Sequence, residues 1–312
     1  MAGLFLASPN FQPLPSGDEN WTPLAHSWQA WDGTLWDLSS GRSGVYLRPG
    51  LRGLGMPPII RYSQKSPAVA GSFYRGSTVD ERDVFWNVKV FRNTGSQDWI
   101  EHNRRWWRSL NPTKTGKWVV TQPSGDYRNL EIRLVDDSGF TWASDTELDP
   151  EIAGFANYGL NLVAEQPYWQ GAPISISWRP EGSPQPFFSP PGSASVFSIG
   201  SSNAVFGARI ANPGDVDAWP VWKVNGPYTV ASVGVGSRLI SLPARTNGQS
   251  ITVDTNPAAQ TATDQTGADI TAQLGSVDFA PVPPGDPTQL NVTMTGTGSV
   301  DVTVVPNYLM GV

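Results

Sequence analysis

Two histidines, one run of alternating carboxylates and one close acidic pair are the groups in this chain whose types and spacing point towards chemistry. His26 stands among aromatics, where packing accounts for it. His102 lies between Glu101 and Asn103 in a helical stretch, where a surface or interface role is expected. With no cysteine, thiolate metal sites, disulfides and Cys nucleophiles are excluded. Asp145, Glu147, Asp149 and Glu151 alternate as the ligands of a Ca²⁺ loop do, but such loops need more oxygen ligands and an assisting glycine. Thr146, Leu148 and Pro150 suit an exposed loop instead, leading into 152–158. Asp215 and Asp217 resemble a glycosidase acid pair in type. A turn between strands is the simpler account, and a cell-wall hydrolase is the last of the readings considered. The P-loop, HExxH and GxSxG patterns are absent, and Gly296-Thr297-Gly298 reads as a hairpin turn. No catalytic set, cofactor or metal is expected.

Trp219, Trp222 and Tyr228 offer a different chemistry, stacking against sugar rings. Residues three apart on a strand face opposite sides of the sheet, so Trp219 and Trp222 do not share a platform, and core packing is the simpler account. Trp106 and Trp107 are neighbours on a helix and cannot both face one core. One of them is expected to meet another element or another subunit.

These residues must be held by a mostly β chain. Its 312 residues exceed a single ordinary core, and 28 Pro with 32 Gly imply many turns and few long helices. All 14 Trp lie between Trp21 and Trp222, which separates a Trp-rich front from a back part of short alternating strands. Residues 20–47 read as an early hairpin ending in 44–47, and 51–58 as a fixed loop broken by Gly and Pro. A period of two over 84–92 marks a strand with one buried face. The helix signal runs from Ser96, a capping residue, to Leu110, with Asp98 in its first turn, Arg104, Arg105 and Arg108 towards its end, and Asn111-Pro112 as the stop. Strands at 117–121 and 130–135 flank a Pro-Gly hairpin loop, and strands at 160–164 and 174–178 read as a further pair.

Five prolines between Arg179 and Gly192 mark a linker at 183–193, dividing a front domain at 1–182 from an antiparallel sandwich at 194–312. Sandwich strands are expected at 194–199, 205–211, 220–224, 230–235, 238–242, 251–254, 289–294 and 299–306. The net charge of −6 is uneven. Residues 1–137 carry 16 Lys and Arg against 13 acids, and the remainder 5 against 14. The basic residues of the front alternate with acids and form no run, so nucleic-acid binding is not expected, and complementary charge between protein surfaces is the better use. The N-terminal residues lack the basic start and apolar length of a signal peptide, and no stretch reaches the length of a membrane span. Synthesis in a cytoplasm is expected.

Gly53-Leu54-Gly55-Met56-Pro57-Pro58, Trp106-Trp107-Arg108-Ser109-Leu110-Asn111-Pro112, Pro123-Ser124-Gly125-Asp126-Tyr127-Arg128 and Gln166-Pro167-Tyr168-Trp169 resemble the distal tail proteins (Dit) of long-tailed phages. In texture they are similar to the minor tail proteins of phages infecting actinobacteria. In the back part, 210–215, 218–220, 225–227, 253–255 and 282–285 resemble the second domain of the same proteins. The resemblance implies a split-barrel belt domain with a helix, a galectin-like β-sandwich outside it, and assembly as a hexameric ring in the virion tail tip. Its implied partners are further copies of itself, the tail tube protein, the tail-associated hub, and the tape measure and receptor-binding proteins. It supplies no catalytic residues. For the ring, Arg104, Arg105, Trp106 and Trp107 on the helix and Asp145, Glu147 and Asp149 in the acidic loop are the expected complementary patches. The alternative is a carbohydrate-binding sandwich that recognises the host envelope through Trp219, Trp222 and Tyr228.

Overall fold

The computed structural model describes residues 22–137, 149–179, 204–205 and 208–312. In the front part the strands are β1 (Ala25–Gln29), β2 (Leu35–Asp37), β3 (Val45–Leu47), β4 (Ile59–Ser66), β5 (Val69–Val79), β6 (Arg82–Phe91), β7 (Gly116–Thr121), β8 (Tyr127–Asp136), β9 (Phe155–Ala164) and β10 (Trp169–Gln170). Two helices, α1 (Ser96–Ser109) and α2 (Pro150–Ala153), accompany them. Antiparallel pairing runs β2-β1-β7-β8-β9-β6-β3. The ends of this path meet where the Leu47 amide donates to Leu38 O at 2.8 Å, so the sheet curls into a nearly closed barrel.

The period-two pattern decides what fills the barrel. Val84, Trp86, Val88 and Val90 of β6 all turn inward, and so do Trp118 and Val120 of β7. Inside, Trp28, Trp86, Trp118 and Trp169 meet edge to face with ring centroids 4.9 to 5.5 Å apart. That arrangement sets the positive edge of one ring against the negative face of the next. α1 covers the core with Trp99 and Trp106, the latter 5.3 Å from Trp36. Ser96 is not its cap: Gly95, at φ 128, takes the N-cap position, and Ser96 is the first helical residue. Leu110 is extended and ends the helix ahead of Pro112.

The back part is a sandwich with a core of its own. Its strands are β11 (Ile174–Trp178), β12 (Ala204–Val205), β13 (Arg209–Asn212), β14 (Val221–Asn225), β15 (Tyr228–Val235), β16 (Arg238–Leu242), β17 (Ser250–Asp254), β18 (Thr261–Asp264), β19 (Gly285–Gly296) and β20 (Ser299–Val304), and β21 (Asn307–Tyr308) follows them. One sheet runs β11-β20-β14-β17-β18, and the other β12-β19-β15-β16 with β13 on β19. Trp222, Val224, Ile251, Val253, Val300 and Val302 of the first face Ala231, Val233, Leu290, Val292 and Met294 of the second.

Three features depart from the sequence reading. The strand at 174–178 does not pair with that at 160–164. It pairs with β20, because Ile174, Ile176 and Trp178 pack against the second core, while Ser175 and Ser177 face outward. The chain therefore passes from barrel to sandwich at 171–173; the Pro-rich run 183–193 and the strand expected at 194–199 lie outside the described residues. Second, β19 and β20 belong to opposite sheets, so Gly296-Thr297-Gly298 is a corner between sheets and not a hairpin turn. Third, the chain returns to the barrel after β20, where β21 pairs with β10.

Between β3 and β6 stands a structure for which the sequence reading has no counterpart. β4 and β5 form a long hairpin that pairs with no other strand among the described residues. The Asp80 amide donates to Pro58 O and closes its base.

Candidate functional site

The helix that carries the arginines is built by its apolar stripe, which aims Trp99, His102, Trp106 and Ser109 at the barrel. Arg104, Arg105 and Arg108 fall on the opposite, exposed side. None of the three forms an ion pair among the described residues. Arg105 lies over the Trp36 ring at 5.5 Å, and Lys114 Nζ lies 3.9 Å above Trp31, so this end of the barrel carries cations set on aromatic faces. Trp106 is fully buried and therefore presents no surface to a partner, contrary to its place among the expected interface residues. Trp107 packs edge to face on Tyr158 of β9 at 5.0 Å, so the element it meets belongs to its own chain.

Both histidines pack against tryptophan rings. His102 is buried, not at the surface as expected, because it faces the Trp36 ring at 5.4 Å and its Nδ1 lies 3.1 Å from Arg92 Nη2. Burial, then the Arg92 charge, push its pKa below the ordinary histidine value. His26 stacks on Trp118, whose Nε1 donates to His26 Nδ1 at 3.3 Å, and burial lowers its pKa as well.

The hairpin β4–β5 carries several large apolar side chains that the described residues leave uncovered. Ile59, Ile60, Tyr62, Phe73 and Tyr74 are all exposed, Phe73 at 54% and Tyr74 at 66%. An isolated two-stranded ribbon is marginal in water, and its unpaired edges invite another chain. Adjacent apolar pairs such as Ile59-Ile60 and Phe73-Tyr74 are the sequence signal that could have found it.

Of the acidic run, Asp145 and Glu147 lie outside the described residues; Asp149 is exposed at the N-cap position of α2. In the sandwich, Trp222 and Tyr228 are inside the core, and Trp219, just ahead of β14, is partly buried. A stacking platform shared by the three is therefore ruled out, because two of the rings are enclosed between the sheets. Asp215 is engaged structurally, accepting from the Leu309 amide at 2.9 Å. Among the described residues no group of three or more His, Asp or Glu could hold a metal ion, and no helix is long and apolar enough to cross a membrane.

The joint between barrel and sandwich converges on Arg82, at 1% exposure. Its Nε donates to Pro167 O at 2.7 Å, Nη1 to Gly53 O at 2.8 Å and also to Gly55 O, and Nη2 to Leu309 O at 2.8 Å. No carboxylate pairs with it among the described residues; carbonyl dipoles solvate the charge, and burial lowers its pKa to about 10. Arg128 Nη1 binds Met310 O and Val312 O, each at 2.6 Å, with its guanidinium 3.9 Å over the Tyr308 ring. The Gly311 amide donates to Leu54 O, and that of Gly171 to Pro306 O. Residues 306–312 thus form a strap over both parts. The loop 51–58, irregular as expected, is one of its anchors.

Comparison with known proteins agrees with this architecture. The chain is 24% identical over 141 residues to minor tail protein Gp27 of Mycobacterium phage L5, which covers 44% of this chain and 41% of that protein. It is 21% identical over the same length to minor tail protein Gp27 of Mycobacterium phage D29. The match spans less than half the length of these curated relatives. Among solved structures, the SPP1 Dit (gp 19.1) protein, described as a paradigm of the hub adsorption apparatus in phages infecting Gram-positive bacteria, superposes with a TM-score of 0.59. The identity is 14%, over 91% of this chain and 98% of that one. A chain of the phage P2 baseplate in its activated conformation with Ca matches over the same shares at a TM-score of 0.53 and 9% identity. No protein-family model matches the chain. The protein is Dit-like: it has that fold along nearly its whole length, and its sequence relatives are minor tail proteins of phages.

Proposed function

We propose that this protein is a structural component of a phage tail tip that closes into a hexameric ring, joining the tail tube to the tail-associated hub and to host-binding components. The observation that carries the reading is the uncovered β4–β5 arm on a Dit-like barrel. A ring repeats one heterologous contact, so each copy must offer two different complementary surfaces. The arm, with its exposed Phe73 and Tyr74, supplies an apolar one that a neighbouring copy covers. The exposed Arg104 and Arg105 supply a cationic one, and the acidic run that includes Asp149 its complement. The sandwich, tied by the strap, projects beside the belt and carries accessory contacts.

The test is absolute mass by light scattering across a concentration series, for the protein alone and mixed with its tail tube and hub proteins. A species at six times 33.7 kDa is expected in at least one of these conditions. A strict monomer in all of them overturns the ring.

A further inference from the structure

Three places in the chain set an aspartate or asparagine directly before glycine: Asp32-Gly33, Asn225-Gly226 and Asn247-Gly248. In such a pair the backbone nitrogen of the glycine can attack the Cγ of the preceding side chain, because no Cβ stands in the way. Attack on asparagine closes a five-membered succinimide, and the side-chain nitrogen leaves as ammonia, taking up the proton that the backbone nitrogen loses. Water then opens the ring at either carbonyl, which gives aspartate, or isoaspartate where the chain continues through the side chain. One water enters and one ammonia leaves, with no other reactant.

Two of the three pairs are locked. Asn225 ends β14 in register with Ser250 and Ser299, and its Nδ2 donates to Ser299 Oγ at 2.9 Å and to Asp301 Oδ2 at 3.1 Å. The Gly226 amide donates to Gln249 O at 2.8 Å, and Thr246 O stands where a Cβ on Gly226 would go. Both the attacking nitrogen and the side chain it would attack are therefore held. At the first pair, Asp32 Oδ1 accepts from the Thr34 amide at 2.9 Å, and the Gly33 amide donates to Ala30 O at 2.9 Å.

Asn247 is open. Residues 246–249 form a turn pinned at its ends, where the Gln249 amide donates to Thr246 O at 3.1 Å and the Thr246 amide to Gln249 Oε1 at 3.0 Å. Between these ends, the Asn247 side chain, the Asn247 carbonyl and the Gly248 amide make no hydrogen bond among the described residues, and both residues are exposed. Gly248 sits at φ 79, and a Cβ there would meet nothing within 4 Å. A central peptide without partners rotates while the ends stay in place, as in the interconversion of turn types. That rotation lets nitrogen and Cγ meet without breaking any bond of the sandwich.

We propose that Asn247 is a self-modification site, converted by water to aspartate and isoaspartate while the sandwich stays folded. It borders a hollow of about 470 Å³ at the end of the sandwich where β14 meets the start of β20, away from the barrel. Arg245 is the one charged residue of that lining and forms no ion pair among the described residues. The new carboxylate gives Arg245 an anionic neighbour and turns the lining from cationic to neutral as the protein ages. The proposal stands whether or not the ring forms.

The test keeps the full chain in water enriched in heavy oxygen, folded and in denaturant, and reads its peptides by mass spectrometry over time. In denaturant, Asn225 and Asn247 should convert at similar rates, which calibrates the chemistry. In the folded chain Asn247 should convert at least about tenfold faster than Asn225, with heavy oxygen taken up at Asn247. The rate should rise between about pH 7 and about pH 9, since the attacking nitrogen must lose its proton. An isoaspartate-specific methyltransferase should label aged, folded wild type. It should not label Asn247→Gln, whose longer side chain would have to close a six-membered ring. Equal conversion of Asn225 and Asn247 in the folded chain would overturn the proposal. So would an Asn247 that stays intact in the folded chain for the time that converts it in denaturant.

Discussion

Arg82 Nη2 donates to the carbonyl oxygen of Leu309 at 2.8 Å and so joins positions 227 residues apart. Replacing Arg82 with Met keeps much of the volume but strands the carbonyls of Pro167, Gly53, Gly55 and Leu309. Arg82→Met should cost about 3 kcal/mol or more, since bonds to a charged donor are the strong ones and their acceptors stay buried. Thermal melting reads the loss, and limited proteolysis should show cleavage appearing within 306–312. A variant that melts like wild type with its end still protected would remove Arg82 from the joint.

The arm gives a cleaner separation of stability from assembly. Phe73→Ser with Tyr74→Ser touches side chains that are largely exposed, so the isolated chain should change by less than about 0.5 kcal/mol. Ring formation should be lost, as read by light scattering under whichever condition assembles the wild type. Full assembly of the double variant would exclude the arm from the contact.

Charge reversal examines the second surface. Arg104→Glu with Arg105→Glu should prevent ring formation, while Arg104→Gln should only weaken it and make it more sensitive to salt. The Arg105 change also removes a guanidinium from the Trp36 face, a contact of about 0.5–1 kcal/mol at an exposed site. Sizing columns at low and high salt decide: unchanged assembly of the double reversal would rule this surface out.

Acid should loosen the barrel in a defined window. Burial holds His26 and His102 below 6.5, so the unfolded chain takes up their protons first as pH falls. Stability is full above that value and declines as pH falls from it through the lower folded-state values. The hydroxyls of Thr266 and Thr271 hold Asp264 and Asp269 below 3.8, and their contribution is lost only at still lower pH. Melting temperature followed from about pH 7.5 to about pH 5 should therefore fall, and His102→Gln should flatten the curve. A profile identical in wild type and variant would exonerate His102.

The sequence made some parts of this molecule readable and hid others for physical reasons. β6 and α1 were legible because each buries one face, and a buried face imposes its period on the residue types. The hairpin β4–β5 faces no core of its own, so no period of two rewards alternation along it. The partner of β11 was hidden because a strand of Ile and Ser fits any sheet equally well, and β20 lies more than a hundred residues away. Arg82 gave no signal, because its acceptors are main-chain carbonyls, which every residue type carries. Helical geometry turns Trp106 and Trp107 in different directions, yet both rings pack on the one barrel core, because Tyr158 stands beside the helix to receive the second, which the sequence could not show.

Barrel and sandwich are joined by two chain crossings side by side, at 171–173 and at 305–306, stitched by the bond from the Gly171 amide to Pro306 O. A single thread would let the outer body swivel. Two antiparallel threads behave as a ribbon, compliant in flexure and stiff in torsion. Load applied at the far end of the sandwich is shared between both threads, which leave the same end of the β10–β21 pair, so it draws the two strands together against β8 instead of pulling one from the other.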